Sequence, residues 1–333
     1  MILVITNKED VHPTPVIELL NTKQIPVFRF NTEVLLTDYE FCWLCNSEDI
    51  DFKIRNIHNG LEIQGSKITS VWERRPEEPL ELFLQSTPTV DKHNLAEALG
   101  FLRFLRFYIK DIYSIGSIVN DRAAASKMLQ LKVAKELGFS IPATCFSNRK
   151  NDILEFASLH ENVILKSIDN NSIWDEEKHL EYVFYTQKIK SATLADIPEE
   201  AFSQTVSYVQ NYIEKAYELR ITVVNQQVFA CKIDSQKQED DKGKVDWRQG
   251  YDYGLKYEAY DLPQEIADKC ILFTKQLGLN FGCFDFIYTP TGDFVFLECN
   301  PNGQWLWIEL ETGLKISEAI AMILAKPDKK TFN

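Results

Sequence analysis

The sequence lacks a long apolar run, and no segment approaches the roughly 20 apolar residues that cross a membrane. It also lacks a basic stretch ahead of its first apolar residues, since Met1–Thr6 passes directly into a strand-like pattern. We therefore expect no secretory signal. It has seven cysteines, an odd number scattered over 333 residues, and this pattern argues against a disulfide framework. We expect a reduced, cytoplasmic protein without a membrane partner.

Positive charge is scarce. The chain has 36 Lys and Arg against 49 Asp and Glu, a formal net charge of −13. This balance argues against a nucleic acid or an anionic membrane surface as the main partner, although it leaves room for a local basic pocket. The hydrophobic content of 45% is enough for a large core, and the length predicts two or three domains.

Common phosphate and metal motifs are missing as well. The sequence has neither G-x-x-x-x-G-K nor G-x-G-x-x-G, which excludes a P-loop and a dinucleotide-binding fingerprint. Five histidines form no H-x-x-x-H pair. Cys42 and Cys45 form a lone C-x-x-C, whose thiols would point to opposite faces of a strand. An ordinary strand is the better interpretation of that segment than a metal site.

The order of apolar segments predicts α/β structure followed by α+β structure. Strand-like residues 1–6, a helix near Val16–Leu20 and a strand over Pro26–Phe30 indicate a small α/β domain. Residues 61–72 read as a hairpin about a glycine, and Leu95–Ile109 as a long helix. A helix over Ala123–Leu137 and a strand over Asn162–Lys166 open the next unit, and from residue 205 the pattern becomes strongly β.

The stretch Phe284–Gly303 carries the most information. If Pro290–Asp293 forms its turn, Asp285 lies directly opposite Glu298, and Asn300 shares their face. The opposite, apolar face then holds Phe284, Phe286, Leu297 and Cys299. Two facing carboxylates repel each other, so removing either should leave stability unchanged or raise it. Carboxylate and amide oxygens that converge in this way suit Mg²⁺, and a solvated hairpin edge is the alternative.

Two lysines precede this hairpin. Lys127 begins a helix, where a cation opposes the helix dipole, and Lys166 ends an otherwise apolar strand. Each alone is explained by a solvent-exposed lysine whose stem covers apolar surface. Taken together with a magnesium site, the two lysines predict a cradle for a polyphosphate.

Further along the chain, charge and apolar residues alternate on a strand. Glu218 and Arg220 flank Leu219 and should both point away from the core. Exposed strand charges are one interpretation. The functional interpretation pairs Glu218 with sugar hydroxyls and Arg220 with a phosphate.

These residues, in this order, resemble the ATP-grasp ligases. More narrowly, the segments N-D-R-A-A-A-S-K-M-L-Q-L, Y-I-E-K-A-Y-E-L-R-I-T-V-V, D-W-R and F-L-E-C-N-P-N-G-Q-W-L-W-I-E resemble the graspetide (microviridin-type) peptide macrocyclases, as does V-W-E-R-R-P nearer the start. The resemblance implies an ATP-grasp fold in three parts. They are an N-terminal α/β domain (1–118), a central α+β domain (119–207) and a C-terminal antiparallel-sheet domain (208–333).

The resemblance also implies the ligands and their residues. ATP would be bound between the last two domains, and Mg²⁺ by the hairpin. The implied ATP ligands are Lys127, Lys166, Gln210, Asn211, Tyr212, Ile213 and Glu218; the implied metal ligands are Asp285, Glu298 and Asn300; and the implied catalytic residues are Arg220 and Arg248. An anchoring role for its loop is the alternative for Arg248.

The implied activity is ATP-dependent macrocyclisation of a ribosomal precursor peptide by a homodimer. An Asp or Glu side chain of the peptide would be phosphorylated and then attacked by Thr or Ser, giving an ω-ester, or by Lys, giving an ω-amide. We expect the leader of that peptide to bind within residues 182–204, at the acidic segment that contains Asp196, Glu199 and Glu200. The alternative for this segment is an acidic helix start stabilised by its own dipole.

Two other functions remain open at this point. The same fold could serve a ligase that joins free amino acids or extends a protein terminus. A nucleotide-dependent binding protein without catalysis is the second possibility, although the intact carboxylates and Lys166 argue against it. ATP hydrolysis that depends on an added peptide would separate the three functions.

Overall fold

The computed structural model describes residues 1–48, 50–79, 88–169, 172–175, 178–237, 241–249 and 255–327. They form a parallel and an antiparallel sheet near the N-terminus, a four-stranded and a two-stranded sheet in the centre, and a larger C-terminal antiparallel sheet. The architecture is mixed α/β, as the sequence predicts.

The N-terminal unit is built on a four-stranded parallel sheet. Its elements are β1 (Ile2–Thr6), α1 (Pro13–Thr22), β2 (Val27–Asn31), β3 (Tyr39–Cys45), β4 (Ile50–Asn56), β5 (Glu62–Gln64), β6 (Ser70–Glu73), α2 (Pro88–Ile109) and β7 (Ser114–Ile115). The parallel sheet has the order β2-β1-β6-β7, and β3-β4-β5 form a separate antiparallel sheet. Every residue of β1 is buried, as expected for a strand covered on both faces. The predicted strand, helix, strand opening is confirmed.

The predicted hairpin over residues 61–72 is wrong. β5 pairs with β4, whereas β6 leaves to join β1 in the parallel sheet. Gly65 is not a hairpin turn residue: a Cβ there would lie 2.6 Å from Cε1 of Phe52. The glycine therefore permits close packing of a short 3₁₀ turn against the ring of Phe52 on β4.

Two helices connect this unit to the rest: α3 (Ile118–Ala124) and α4 (Lys127–Glu136). The sequence predicts one helix over 123–137, but the structure divides it because the Ser126 side chain accepts a hydrogen bond from the backbone N–H of Leu129 and caps α4. α4 begins at Lys127, as predicted, and Gly138 ends it with a left-handed φ of +74°.

The central unit is a small antiparallel sheet of the order β12-β9-β13-β8. Its elements are β8 (Thr144–Ser147), α5 (Lys150–Ser158), β9 (Asn162–Lys166), β10 (Ser172–Asp175), β11 (Leu180–Val183), β12 (Gln187–Lys190), α6 (Glu199–Ser203) and β13 (Ser207–Asn211). The predicted boundary between 207 and 208 cuts β13, which pairs along its length with β8 and β9. Strand pairing therefore assigns residues 207–211 to the central sheet.

The C-terminal unit is a five-stranded antiparallel sheet of the order β16-β15-β14-β17-β18. Its elements are β14 (Tyr217–Val224), β15 (Gln227–Ile233), α7 (Asp241–Val245), β16 (Tyr257–Ala259), α8 (Gln264–Gln276), β17 (Phe281–Tyr288), β18 (Phe294–Asn300), α9 (Leu306–Thr312) and α10 (Ile316–Ala325). One face packs against α4 and α8 around Phe139, Phe273 and Phe296. The cleft described below opens beside this sheet.

A shared core joins the first and last units. α10 packs against α1, and Ile316, Ile320 and Leu324 of α10 lie in one buried cluster with Val16 and Leu20 of α1. The two units therefore bury apolar surface against each other. Among the helices that the structure describes, none combines the length and the apolar character needed to cross a membrane.

Candidate functional site

The carboxylate hairpin has the predicted pairing at its functional end and a different one near its turn. Asp285 pairs with Glu298, as predicted, but Phe286 pairs with Phe296, so Leu297 is an extra residue in a β-bulge. The bulge moves Leu297 into the cleft wall and gives its predicted core position to Phe296, which is fully buried. The prediction for Leu297 is therefore wrong.

A cleft of about 260 Å³ brings the predicted ligand residues together. Lys127, Lys166, Gln210, Asn211, Tyr212, Ile213, Glu218, Arg248, Asp285, Glu298 and Asn300 all line it. They come from α4, from the central sheet and from the C-terminal sheet. Cations and carboxylates from distant parts of the chain thus meet in one cleft.

Asp285 is held from behind by a buried arginine. Arg220 Nη1 lies 2.9 Å from Oδ1 and 2.8 Å from Oδ2 of Asp285. Burial and the charge of Glu298 raise the pKa of Asp285, although Arg220 opposes them. Arg220 is only 7% exposed and is absent from the cleft lining, so exposed strand charge is the wrong interpretation for it. Its contact is with the carboxylate of Asp285 and not with the cleft.

Glu298 faces the two predicted lysines. Lys127 Nζ donates a short hydrogen bond to Glu298 Oε2. Burial disfavours the charged form of Glu298, but the charges of Lys127 and Lys166 outweigh it and lower the pKa of this carboxyl to about 2. The two carboxylates of the hairpin thus differ: Glu298 is stabilised as an anion by cations that also line the cleft.

Lys166 has no hydrogen-bond acceptor among the described residues, and its ammonium lies 6.0 Å from the centre of the Tyr208 ring. Burial lowers its pKa, and the charges of Lys127, Lys215 and Arg248 act in the same direction, although Glu298 opposes them. A partly buried cation surrounded by other cations is costly unless an anion compensates it. The arrangement fits a bound polyanion.

Glu218 lines the cleft in a fixed position. Its Oε1 accepts hydrogen bonds from Lys215 Nζ at 2.8 Å and from Ser235 Oγ at 2.9 Å. The residue is 5% exposed, so it is not an exposed strand charge. Lys215, just before β14, also donates to the backbone oxygen of Val245, the last residue of α7.

The cleft has an apolar wall beside its charged floor. Pro142, Ile164, Phe184, Ile287 and Leu297 contribute to this wall. Residues Gln210–Ile213, which we call the hinge segment, also line the cleft. Gln210 Nε2 donates a hydrogen bond to Thr144 Oγ1 at 3.0 Å. A flat apolar base could lie against the wall while backbone groups of the hinge bind its edge.

Arg248 is oriented by its own neighbours. Its Nε and Nη2 donate to the two oxygens of Asp246 at 2.8 and 2.7 Å, a bidentate pair. Asp246 is 4% exposed, and Trp247 packs on Trp307 with 5.4 Å between ring centres. The Arg248 side chain keeps 41% of its surface exposed at the cleft. It is therefore anchored and still available to a ligand.

Asp196, Glu199 and Glu200 lie outside the cleft. α6 forms where the sequence predicts a short acidic helix, and all three carboxylates are exposed. The segment before α6 contains two strands, β11 and β12. Apolar side chains next to them are exposed as well: Ile173, Trp174, Leu180, Tyr182, Val183, Phe184 and Tyr185.

The sequence gives no prediction for three charged residues of the cleft: Asp169, Lys215 and Asp246. Lys215 has an i,i+3 spacing to Glu218, and its side chain is 5% exposed. Asp246 enters the sequence prediction only as part of D-W-R, yet it fixes the arginine. A buried side chain that only hydrogen-bonds to a functional residue leaves no local signal in the sequence.

The hairpin ligands fit a magnesium ion by their chemistry. Asp285, Glu298 and Asn300 supply two carboxylates and one amide on one face of the hairpin. Asn300 Oδ1 accepts the backbone N–H of Asn302 at 3.0 Å, which fixes the amide and leaves a lone pair of that oxygen for a cation. No cluster of three or more His, Cys, Asp or Glu suited to a metal occurs in the described part of the chain, which is consistent with a mixed set.

The family follows from the sequence match. Residues 124–324 match the RimK-like ATP-grasp domain, which is more than half of the chain. The chain therefore belongs to the RimK-like ATP-grasp family, and it is an ATP-grasp ligase. Comparison with curated proteins finds no significant match.

Three solved structures are similar over almost the entire length. A RiPP-associated ATP-grasp ligase of Chryseobacterium gregarium, in complex with ADP and a leader and core peptide, has a TM-score of 0.88 and 27% identity, covering 99% of this chain and 98% of the other. The macrocyclase MdnC of Microcystis aeruginosa MRC, bound with the precursor peptide MdnA, has a TM-score of 0.83 and 28% identity, covering 98% and 100%. The macrocyclase MdnB of the same organism has a TM-score of 0.77 and 27% identity, covering 97% and 98%.

Proposed function

We propose that this chain is an ATP-dependent peptide macrocyclase. It joins Asp or Glu side chains of a ribosomal precursor peptide to Thr or Ser side chains as ω-esters, or to Lys side chains as ω-amides. One observation carries the proposal: Lys127, the hairpin carboxylates and Lys166, which has no hydrogen-bond acceptor among the described residues, converge in a single cleft. Whole-length similarity to ligases in complex with ADP and peptides supports it.

The residues of the cleft suggest how ATP would be held. Lys127 and Lys166 would bind its phosphates, Gln210–Ile213 its base and Glu218 its sugar hydroxyls. Asp285, Glu298 and Asn300 would hold Mg²⁺, which when bound neutralises phosphate charge. Lys127 would then exchange its contact with Glu298 for one with phosphate.

The reaction has two transfers. A carboxylate oxygen of the peptide attacks the γ-phosphorus of ATP, and ADP leaves, which gives an acyl phosphate. A hydroxyl or amine then attacks the acyl carbon, its proton is lost and phosphate leaves. Arg248, anchored by Asp246, would hold the reacting carboxylate or the transferred phosphoryl group. We propose that Arg220 holds Asp285 in place and is not itself a catalytic residue, because its guanidinium already contacts that carboxylate.

The leader of the peptide is proposed to bind at residues 182–204. Asp196, Glu199 and Glu200 are exposed there, and the same stretch of chain carries exposed aromatic side chains such as Tyr182 and Phe184. Phe184 also lines the cleft, so a peptide bound at this surface would lie next to the nucleotide. Acidic and apolar groups together suit a basic, amphipathic segment.

We also propose that the protein is a homodimer. β3 is an edge strand, and its side chains Phe41, Trp43 and Leu44 are 39%, 48% and 66% exposed. An apolar edge strand of this kind is suited to pair with a second copy. Light scattering should give a dimer for the wild type and a monomer for Trp43→Glu, and a monomeric wild type would contradict this proposal.

The activity is tested with purified protein, ATP, Mg²⁺ and candidate precursor peptides. We expect mass spectrometry to find the peptide lighter by one water for each ring, together with ADP and phosphate. Glu298→Gln is the inactive control. Ligation of free amino acids without a precursor would favour the amino-acid ligase, and peptide binding without ATP turnover would favour a binding protein.

A further inference from the structure

The N-terminal unit contacts the loop between β18 and α9. Arg74, directly after β6, is 1% exposed. Its Nη1 donates to both the backbone oxygen and Oδ1 of Asn302 at 2.5 Å. Its Nε lies 3.4 Å from Oδ2 of Asp10. The arginine thus connects a loop of the N-terminal unit to the loop beside the candidate metal ligands.

A second contact holds the far end of the same loop. His12 Nε2 accepts the backbone N–H of Trp305 at 3.3 Å. The other ring nitrogen, Nδ1, lies 2.9 Å from Asp10 Oδ1, so Asp10 orients both the imidazole and the guanidinium. The loop is therefore fixed at Asn302 and at Trp305 by one connected polar network.

This loop orients the side chains that face the cleft. The backbone N–H of Asn302 donates to Asn300 Oδ1 at 3.0 Å. The backbone oxygen of Gln304 accepts from Arg220 Nη2 at 3.2 Å, and Arg220 holds Asp285. A displacement of the loop would consequently move both Asn300 and the support of Asp285.

We propose that Arg74 and Asn302 are positioning residues for the metal site, so that the N-terminal unit sets the geometry of Asn300 and Asp285 without touching the nucleotide. This inference rests on the proposed function, because it assumes that the hairpin binds Mg²⁺ with a nucleotide. A buried guanidinium is a costly way to join two units by contact alone, and two of its nitrogens have no hydrogen-bond partner among the described residues. The adjacent Arg75 adopts a left-handed φ of +47°, a strained conformation that marks this turn as constrained.

The test measures binding and needs no turnover. ADP binding to the full chain is followed by calorimetry at a series of Mg²⁺ concentrations, for the wild type, Arg74→Lys and Asn302→Ala. Lysine keeps the charge but has a single nitrogen, so it cannot reproduce the guanidinium contacts with Asn302 and Asp10 together. Asn302→Ala removes the partner without burying a new charge. We expect both variants to need about tenfold more Mg²⁺ for half-maximal ADP binding.

Ser70→Ala is the matched control. Ser70 Oγ donates to the backbone oxygen of Leu324 at 2.7 Å, another fully buried bond between the same two units that does not touch the loop. Its Mg²⁺ requirement should equal that of the wild type. An unchanged Mg²⁺ requirement in Asn302→Ala, or an equal rise in Ser70→Ala, would overturn the inference. Wild-type ADP binding that ignores Mg²⁺ would instead contradict the proposed metal site itself.

Discussion

Arg220 on β14 and Asp285 on β17 face each other in register, and one nitrogen of the guanidinium contacts both carboxylate oxygens. Glu298, which faces Asp285 from β18, has its cation in Lys127, on the cleft side. The two carboxylates of the hairpin therefore differ in what their removal exposes. One leaves a buried arginine without its counter-charge, and the other leaves lysines that solvent can reach.

Asp285→Asn should lower stability, and Glu298→Gln should lower it less. Lys127 and Lys166 stabilise the Glu298 anion and lower its pKa, but the Lys127–Glu298 pair is partly exposed to solvent. The sequence argument from carboxylate repulsion predicts no loss for either, and the Arg220 contact reverses it for Asp285. Breaking a buried ion pair by removal of one partner typically costs about 3 kcal/mol. Urea unfolding measures the difference, and both variants should lose Mg²⁺-dependent ATP turnover. Equal stability of the two variants, or wild-type turnover at saturating Mg²⁺, would contradict the assignment.

Lys166→Met should weaken ATP binding and should not destabilise the protein. The substitution removes a cation whose pKa is lowered by burial and by the charges of Lys127, Lys215 and Arg248, although Glu298 opposes this. Among the described residues, Lys166 has no hydrogen-bond acceptor. We expect a sharp rise in the KM for ATP with an unchanged or higher unfolding midpoint. A lower midpoint with unchanged KM would assign Lys166 a structural role.

Arg248→Ala is expected to lower kcat more than ATP affinity, because Asp246 orients the side chain while its surface stays partly exposed at the cleft. Steady-state kinetics with ATP and peptide varied separately measure the two effects. Loss of nucleotide affinity equal to that of Lys166→Met would place Arg248 among the ATP phosphate ligands.

His12 should make stability depend on pH. Burial lowers its pKa from 6.5, although the hydrogen bond to Asp10 opposes this. Below pH 6.5 the unfolded chain binds this proton more readily than the folded one, so stability falls as the pH decreases from 6.5 towards the lower folded pKa. One histidine contributes at most about 1.4 kcal/mol per pH unit. Unfolding midpoints between about pH 5 and pH 8 should vary less in His12→Asn than in the wild type. If the unfolding midpoint changes with pH by the same amount in both proteins, His12 is not the source of the pH dependence.

The double variant Glu199→Lys/Glu200→Lys should weaken leader binding at low salt, while basal ATP hydrolysis without leader stays unchanged. The difference in affinity from the wild type should shrink as salt is added, because salt screens the attraction between exposed charges. Fluorescence anisotropy of a labelled leader peptide measures the affinity. Glu265→Lys is the matched control, because Glu265 also lies in the first turn of a helix capped by a proline, α8. If the double variant binds leader as the wild type does, the leader binds elsewhere.

The sequence predicts the ligand residues better than the backbone that carries them. Alternation and turn composition place Asp285 opposite Glu298, and the structure confirms the pair. The bulge at Leu297 was not predictable from the hairpin alone, since the backbone N–H of Phe296 donates to Ser140 O, an atom from outside it. Arg220 was recognised as important, but its partner depends on the pairing of β14 with β17, which no local pattern contains. The hairpin predicted about Gly65 is wrong because close packing against Phe52 and a hairpin turn both favour glycine, and the sequence does not distinguish them.

The contact between α1 and α10 has a consequence for synthesis of the chain. Val16 and Leu20 are synthesised well before α10, the helix that covers them. The N-terminal unit therefore cannot bury that face until α10 has left the ribosome, even though domains commonly fold in order of synthesis. Folding of the first unit must end together with that of the last, and a chain truncated before α10 would expose the apolar face of α1 to aggregation.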